Sequence, residues 1–568
     1  MRDLAYLKLL SREYPNIRAA ASDIINLQAI CGLPKGTEYF FSDLHGEHEA
    51  FIYLLRSSSG IIREKIRETF GHIISEEDEV RLANLIYYPE KICREVSSKY
   101  TRSKVRKKMP KEFSGVIDEL LYVDNTDDNK TEYYSELINT LIDVRVADSF
   151  IVAICSLIRS LTIDNLHILG DIFDRGPRPD IILEELMHFH DVDIQWGNHD
   201  ISWMGAATGN RACICNVLRM ALGYNGFDVL EDGYGINLRP LSMFAERVYR
   251  DDPCTCFLPQ ILDKNIYDAV DPKLAAKMHK AIAVLQYKEE GQIIKRHPEY
   301  GMEERILLSA IRYDRGTVTI DGKEYPMRDM NFPTVDPADP LRLTDEEEEL
   351  LHTLELSFRH NARLHEHVRF LYSNGSMYKC CNSNLLYHGC IPMTENREFD
   401  GLMVGGKMYR GKELMDFIDT QVKNAYFLPE DAPEKEACRD FMWYLWNGAK
   451  SPVFGKDKNR SFEHYFIEDP EVMRETMNPY YQLSEEEETC DMILKEFGLP
   501  TKGSHIINGH MPVKIKSGET PIRAGGKLFI IDGGLSKAYQ ERTGIAGYTL
   551  IFNSHHLALA EHKPFDPE

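Results

Sequence analysis

Between residues 41 and 51 the chain reads FSDLHGEHEAF, placing Asp43, His45 and three further metal-capable side chains directly after an aromatic run. Four later stretches share its character: GDIFDRGP with Asp171, Asp174 and Arg175, GNHD with Asn198 and His199, YHGC with His388, and INGH with His510. Asp43, His45, Asp171, Asn198, His388 and His510 make a donor set of oxygen and nitrogen without thiolate, suited to Mn²⁺, Fe or Zn²⁺. Two divalent cations about 3.5–4 Å apart need one shared carboxylate with separate imidazoles on either side. Asp171, in G-D-x-x-D-R, is the natural bridge. Asp43 and His45, two residues apart, complete one ion, and Asn198, His388 and His510 complete the other. A neutral Asn carbonyl limits the negative charge, so the pair stays electrophilic enough to acidify a water between them.

The remaining members of these stretches suit phosphate chemistry. Arg175 offers a planar fork able to grip two phosphoryl oxygens at once, which Lys cannot do. His199, next to Asn198, is placed to protonate a departing alkoxide as general acid. Asp174, close in sequence to Asp171, can accept a hydrogen bond from His199 and fix its ring.

Taken singly, each stretch has a plainer reading. Ser42 or Asp43 would cap a helix with Glu47 and Glu49 in its first turn, GNHD would make an Asx turn, and a lone His388 or His510 would be a satisfied structural histidine. The elements in front of them argue otherwise. Short β-prone runs at 39–41, 166–169, 192–196, 385–387 and 506–507 each precede one of the five stretches, and 528–531 precedes a sixth, IDGGLSKAY. Side chains at strand ends, held by a rigid sheet, are the usual architecture of α/β sites. The intervening blocks read as mainly helical, including an acidic helix across LTDEEEELLHTLEL at 343–356.

Bulk composition narrows the partners. The 568 residues carry a net charge of −23, 43% hydrophobic residues and 28% charged residues, which excludes a general nucleic-acid or anionic-membrane binder. The twelve cysteines form no paired zinc-ribbon spacing and are too sparse for a disulfide scaffold, so free thiols in a cytoplasmic protein are expected. The apolar stretch 141–163 is interrupted by Asp143, Arg145, Asp148 and Arg159 and does not span a membrane. Two basic segments remain, SKYTRSKVRKKMPK at 98–111 and GKDKNR at 455–460. The first reads best as a solvated helix face, yet either can supply cations for a second phosphate, through Lys456 or Lys458 in the latter.

The five stretches resemble the calcineurin-like metallophosphoesterases, above all the branch shared with Ser/Thr protein phosphatases: SDLHG for D-x-H-G, GDIFDRG for GD-x-x-DRG, and GNHD for GNHE, with Asp200 in place of the usual Glu. The intervals from His45 to Asp171 and from His199 to His388 are far too long for a protein phosphatase. Strings outside the motifs, such as GLPKGTEYFFSDLHGE, EDGYGINLRPL, LWNGAKSPVFGK, NPYYQLSEEEETC and IDGGLSKAYQERTGIAGYTL, are similar to the Bacillota-type class III fructose-1,6-bisphosphatases across nearly all of residues 22–556.

That resemblance implies an α/β fold, a calcineurin-like metallophosphoesterase β-sandwich flanked by helices with large, mainly helical insertions. It divides the chain into an N-terminal helical segment (1–36), a discontinuous catalytic core (37–60, 150–215 and 376–556), helical insertions (61–149 and 216–375) and a short C-terminal tail (557–568). It implies hydrolysis of the C1 phosphate of fructose 1,6-bisphosphate in gluconeogenesis, two ions that are most simply Mn²⁺, phosphorylated metabolites as effectors, and a homo-oligomer. Arg460 falls where protein phosphatases place a further phosphate-binding Arg. The alternatives are a related phosphatase acting on a phosphoprotein or another phosphomonoester, which would want an open groove, and a non-catalytic scaffold, which would be expected to have lost ligands.

Overall fold

The computed structural model describes residues 14–31, 36–70, 74–88, 146–260, 271–537, 547–553 and 556–563, with a few single positions beside them. The basic run at 98–111 lies outside the described residues.

Two mixed sheets carry the site. The first contains β1 (Glu38–Phe41), β2 (Asn165–Ile168), β3 (Val192–Gln195) and β7 (Gly375–Ser376) as parallel neighbours, with β15 (Tyr548–Phe552) antiparallel to β1 and β16 (Leu557–Glu561) at the edge. In the second, β9 (Asn384–Tyr387), β12 (His505–Asn508) and β14 (Leu528–Ile530) run parallel, flanked by antiparallel β8 (Tyr378–Cys381) and β13 (Ile522–Arg523). The chain crosses from one sheet to the other at Met377, between β7 and β8. Every residue of β1 and β9 is buried, as expected of interior strands covered on both faces. That is why each reads in the sequence as an apolar or aromatic run after its first residue, Glu38 or Asn384.

The helix Asn198–Thr208 has all eleven of its residues buried. A helix buried on every side needs partners all round, and its neighbours are Arg211–Gly223, Asp345–Arg359, Ala362–Asn374, Gly411–Phe427 and Lys435–Asn447. All five lie between β3 and β12 in the chain, so that stretch wraps the element that begins with Asn198 and His199.

Several boundaries differ from the sequence reading. The 216–375 block holds a three-stranded antiparallel sheet, β4 (Ile311–Arg312), β5 (Thr317–Ile320) and β6 (Lys323–Pro326), besides its helices. The stretch set apart as a tail from 557 supplies β16, which pairs with β15 over five residues; its alternating Leu-Ala-Leu-Ala-Glu pattern is too weakly apolar to stand out as a strand. A further hairpin, β10 (Gly401–Val404) with β11 (Lys407–Arg410), sits inside the core segment. The acidic 343–356 stretch does form a helix, Asp345–Arg359, with Thr344 and Glu347 as a capping box. Within 61–149, the helices Ile61–Phe70 and Glu76–Tyr87 pack through Ile62, Ile66, Ala83, Ile86 and Tyr87.

Candidate active site

All five chemical stretches follow the carboxyl ends of strands: Asp43 after β1, Asp171 after β2, Asn198 after β3, His388 after β9 and His510 after β12. Loops drawn this tightly leave ordinary backbone geometry. Asp43, His45, Asp171, Asp174, Arg175 and His510 all have left-handed φ, between +44° and +71°. Such residues cost of order 1–3 kcal/mol each and persist only where the surroundings hold them. The surroundings here are specific. Asp200 accepts three backbone N–H groups, from Asp171 (2.8 Å), Ile172 (2.8 Å) and Gly197 (3.0 Å), tying the loop after β2 to the helix after β3. Any side chain at Gly197 would sit 2.1 Å from Asp171 Oδ1, so only glycine permits that approach.

Three imidazoles are oriented by main-chain carbonyls. His45 Nδ1 donates to Phe173 O at 3.0 Å, His388 Nδ1 to Leu169 O at 2.6 Å, and His510 Nε2 to Phe454 O at 3.0 Å. Each anchored ring turns its other nitrogen inward. His45 Nε2 lies 3.9 Å and His388 Nε2 3.4 Å from Asp171 Oδ2, and His510 Nδ1 lies 3.1 Å from His388 Nε2. Asp43 Oδ1 is 3.9 Å from His45 Nε2, while its Oδ2 accepts from Ser42 Oγ and from His510 N at 3.0 Å. Asp171 with His388 and His510, and Asp171 with His45 and His199, are two groups able to hold an ion, and they share the Asp171 carboxylate. Asn198 Oδ1 is buried with no hydrogen-bond partner among the described residues, a state that costs about 1–3 kcal/mol unless something outside the protein's own groups uses the oxygen.

Electrostatics centre on Asp171. Burial opposes its charge, but His388 and His199 hold its carboxyl well below the usual range. Burial likewise opposes charge on His388, yet Asp171 pushes that ring up to about 10. Burial drives His45 and His510 well down, so both stay neutral. It also lifts Asp43 and Asp200 to about 6. Neutral His45 and His510 beside an ionised Asp171 have the protonation states that metal ligation requires, while His388 would give up its proton to an ion.

His199 is held differently. Its Nδ1 is 2.7 Å from Asp174 Oδ2, and its Nε2 faces Asp171 Oδ2 at 3.9 Å and Arg175 Nη2 at 3.3 Å. Arg175 Nη1 reaches His45 Nε2 at 3.0 Å. The nine residues Asp43, His45, Asp171, Asp174, Arg175, Asn198, His199, His388 and His510 therefore share one site. Arg460 is engaged elsewhere: its guanidinium pairs with Asp321 (3.2 Å), Glu463 (3.3 Å) and Asp457 (3.5 Å). Lys458 joins Asp321 at 2.5 Å. Lys456 is the cation of that segment whose charge is felt in the site, where it adds to the burial and the His388 charge that depress His510.

Three contributors carry no sequence signal of this role. Trp203 Nε1 donates to Asp174 Oδ1 at 2.8 Å, the Trp446 ring meets His199 edge-on at 4.9 Å, and the Phe454 carbonyl anchors His510. Only Asp200, in GNHD, stood in a motif that pointed to it.

A carboxylate shared by two sets of imidazoles, beside an arginine fork and a carboxylate-held histidine, is an arrangement able to hydrolyse phosphate esters with divalent ions. The chain belongs to the Firmicute fructose-1,6-bisphosphatase family, whose model matches residues 5–92 and 91–568. It is 51% identical over 589 residues to the class 3 fructose-1,6-bisphosphatase of Bacteroides fragilis, and 51% identical over 589 residues to that of Clostridium tetani. The protein of that name from Clostridium acetobutylicum is 50% identical over 589 residues. Each alignment covers 99% of this chain and 89% of the relative. No solved structure matches the chain. No helix among the described residues is long and apolar enough to cross a membrane.

Proposed function

We propose that the chain is a fructose-1,6-bisphosphatase that releases the C1 phosphate of fructose 1,6-bisphosphate as inorganic phosphate, leaving fructose 6-phosphate. The observation that carries the chemistry is the convergence of imidazoles from separate strand ends on Asp171 Oδ2. The sugar comes from family membership and from an identity near 50% along the whole chain.

The residues fit a pair of divalent ions. The fit rests on the neutral inward nitrogens of His45 and His510, the ionised Asp171 and the unpartnered Asn198 oxygen. Asp43, His45 and Asp171 would hold one ion, and Asp171, Asn198, His388 and His510 the other. Bound ions supply charge neutralisation at the phosphoryl oxygens and an acidified attacking water. The donor set suits Mn²⁺, Fe or Zn²⁺, and Mn²⁺ is our choice on the family resemblance.

The chain's own groups do the rest. Arg175 binds the phosphoryl oxygens through its two terminal nitrogens. His199 gives its Nε2 proton to the departing C1 oxygen, and Asp174 keeps Nδ1 protonated and the ring aimed. The helices around Asn198–Thr208 exclude bulk water and fit an enclosed small-molecule site better than a groove for phosphoproteins. Regulation by phosphorylated metabolites and a homo-oligomeric state belong to the same reading, supported by the family alone.

Phosphate release from a panel containing fructose 1,6-bisphosphate, other sugar bisphosphates, fructose 6-phosphate and a phosphopeptide, each with Mn²⁺, tests the proposal. Fructose 1,6-bisphosphate should give the highest kcat/KM and stop after one phosphate. A better phosphopeptide substrate would overturn it.

A further inference from the structure

At the amino end of β1, away from Asp171, a second polar cluster is sealed between the sheets. Glu38 opens β1, His167 stands on β2, Asp193 stands on β3, and Lys379 and Cys381 come from β8 of the other sheet. Glu38 is 1% and His167 0% exposed. His167 is the buried polar residue of the β2 sequence Asn-Leu-His-Ile, and its ring stacks on Phe40 with centroids 4.5 Å apart.

The hydrogen bonds of this cluster are incomplete in one direction only. Asp193 Oδ2 takes His167 Nδ1 at 2.8 Å and also pairs with Lys379. Glu38 Oε1 accepts from Asn382 Nδ2 and faces Cys381 Sγ at 3.8 Å. Among the described residues the inward atoms, His167 Nε2 and Glu38 Oε2, are both buried without a hydrogen-bond partner, and they stand 3.5 Å apart. At that distance the two form a long ion pair rather than a hydrogen bond, which leaves room for an ion between them. One donor atom each from Glu38, His167 and Cys381 lies within 4.8 Å of the others.

The supporting groups look like those of a metal centre. A histidine that gives one nitrogen to a carboxylate has its other nitrogen aimed and made more basic for an ion. Asn382 and Ser383 both have positive φ, +47° and +67°, the two-residue turn of a tight hairpin, so Cys381 is presented by a stiff β8–β9 connection. Charge also balances. Glu38, Asp193, Lys379 and a protonated His167 cancel. Exchanging the ring proton and the Cys381 thiol proton for one divalent cation releases two protons and leaves the cluster neutral.

We propose that Glu38, His167 and Cys381 form an additional, structural metal site for a Zn²⁺-type ion, stapling the first sheet to the second at the end opposite the catalytic residues. A thiolate, an imidazole and a carboxylate make a softer set than the oxygen and nitrogen donors around Asp171, so the two places select different metals. A tetrahedral ion takes three donors here and a water as the fourth, entering on the partly exposed Cys381 side.

Co²⁺ reports on this site alone, because only a thiolate ligand gives a near-ultraviolet charge-transfer band and the catalytic set has none. Metal-stripped full-length protein titrated with Co²⁺ should develop that band to one thiolate-bound ion per chain. Cys381→Ser should abolish the band, Cys380→Ser should keep it, and Asp193→Asn should weaken apparent affinity by about 10–100-fold. Mn²⁺-dependent phosphatase activity should survive in Cys381→Ser. Should that variant fail to fold, alkylation of Cys381 in the Cys380→Ser protein decides instead, with Zn²⁺ expected to protect the thiol. Absence of the band in the wild-type chain, a band that survives Cys381→Ser, or alkylation of Cys381 unaffected by Zn²⁺ would each overturn the site.

Discussion

His199 Nδ1 lies 2.7 Å from Asp174 Oδ2, and the other oxygen of that carboxylate accepts from Trp203 Nε1 at 2.8 Å. The rings of His45, His388 and His510 lean on neutral carbonyls instead. A carboxylate partner stabilises the charged imidazolium that a proton donor must become and be restored to. His199→Asn should therefore keep both metals and lose about 10²–10⁴-fold in rate on fructose 1,6-bisphosphate. The loss should be far smaller on nitrophenyl phosphate, whose leaving group needs no proton. Asp174→Asn should show the same pattern more weakly. Equal losses on both substrates, or a lost metal, would make His199 a ligand, a role its place in a group with His45 and Asp171 makes worth excluding.

Asp171 is the carboxylate common to the two groups, and its Oδ1 also accepts from His199 N at 3.1 Å. Asp171→Asn keeps the shape but removes the shared charge. Elemental analysis should find fewer than two metals per chain, and activity should be nearly lost on both substrates. His388→Asn should behave alike. Full activity with two metals in Asp171→Asn would dismiss the bridging role.

A second phosphate needs a cation near the metals but not on them. Lys456 is two residues after Phe454, whose carbonyl holds His510, and among the described residues its ion pair is with the half-buried Glu475, at 2.6 Å. Lys456→Met should raise KM for fructose 1,6-bisphosphate about tenfold or more, the scale of one charge-assisted hydrogen bond (~1.5–3 kcal/mol). Nitrophenyl phosphate kinetics should hardly change. Lys458→Met, whose ammonium already serves Asp321 and Glu304, should be silent. The reverse pattern would move the phosphate to Lys458.

Acid stability should carry the mark of His279, buried in the helix Pro272–Arg296. Its Nδ1 donates to Phe257 O and its Nε2 meets Tyr465 Oη, both at 2.9 Å. Burial, helped by the Arg219 charge, pushes the ring down from 6.5 to about 3. Between those values the unfolded chain binds the proton and the folded one refuses it. The contribution is thus whole above pH 6.5 and lost as pH falls toward 3, by about 1.4 kcal/mol per unit for a fully buried ring. Denaturation midpoints of His279→Gln should lack that part of the slope. Parallel wild-type and variant profiles from pH 7 to 5 would refute it.

Strands with both faces covered are mainly apolar, so the 39–41, 385–387 and 506–507 runs of β1, β9 and β12 stand out in the sequence, and the residues that follow them are found with them. Edge strands obey no such rule, and β16 passed for a tail. Arg460 illustrates the other limit. Resemblance to protein phosphatases gives it a phosphate-binding role, but Asp321 reaches it from the β5–β6 turn of the 216–375 insertion. Charge spacing along a sequence says nothing about which carboxylates tertiary structure will bring. Trp203 and Trp446 were hidden for a related reason: an aromatic residue in a buried helix is ordinarily core, and only its contact with Asp174 or His199 sets it apart.

The pairing of β1 with β15 brings together residues made at opposite ends of translation. At about 5–20 residues per second, roughly 25–100 s pass on the ribosome between the two strands. Throughout that interval Glu38–Phe41, three of whose four side chains are aromatic, has no antiparallel partner on that side, and an open apolar edge invites pairing with other chains. Asp43 waits equally long for the His510 N–H that fixes it. Yield in a host cell should then depend on elongation speed and on holding chaperones, and a nascent chain stalled before residue 548 should be captured by them rather than fold as an active fragment.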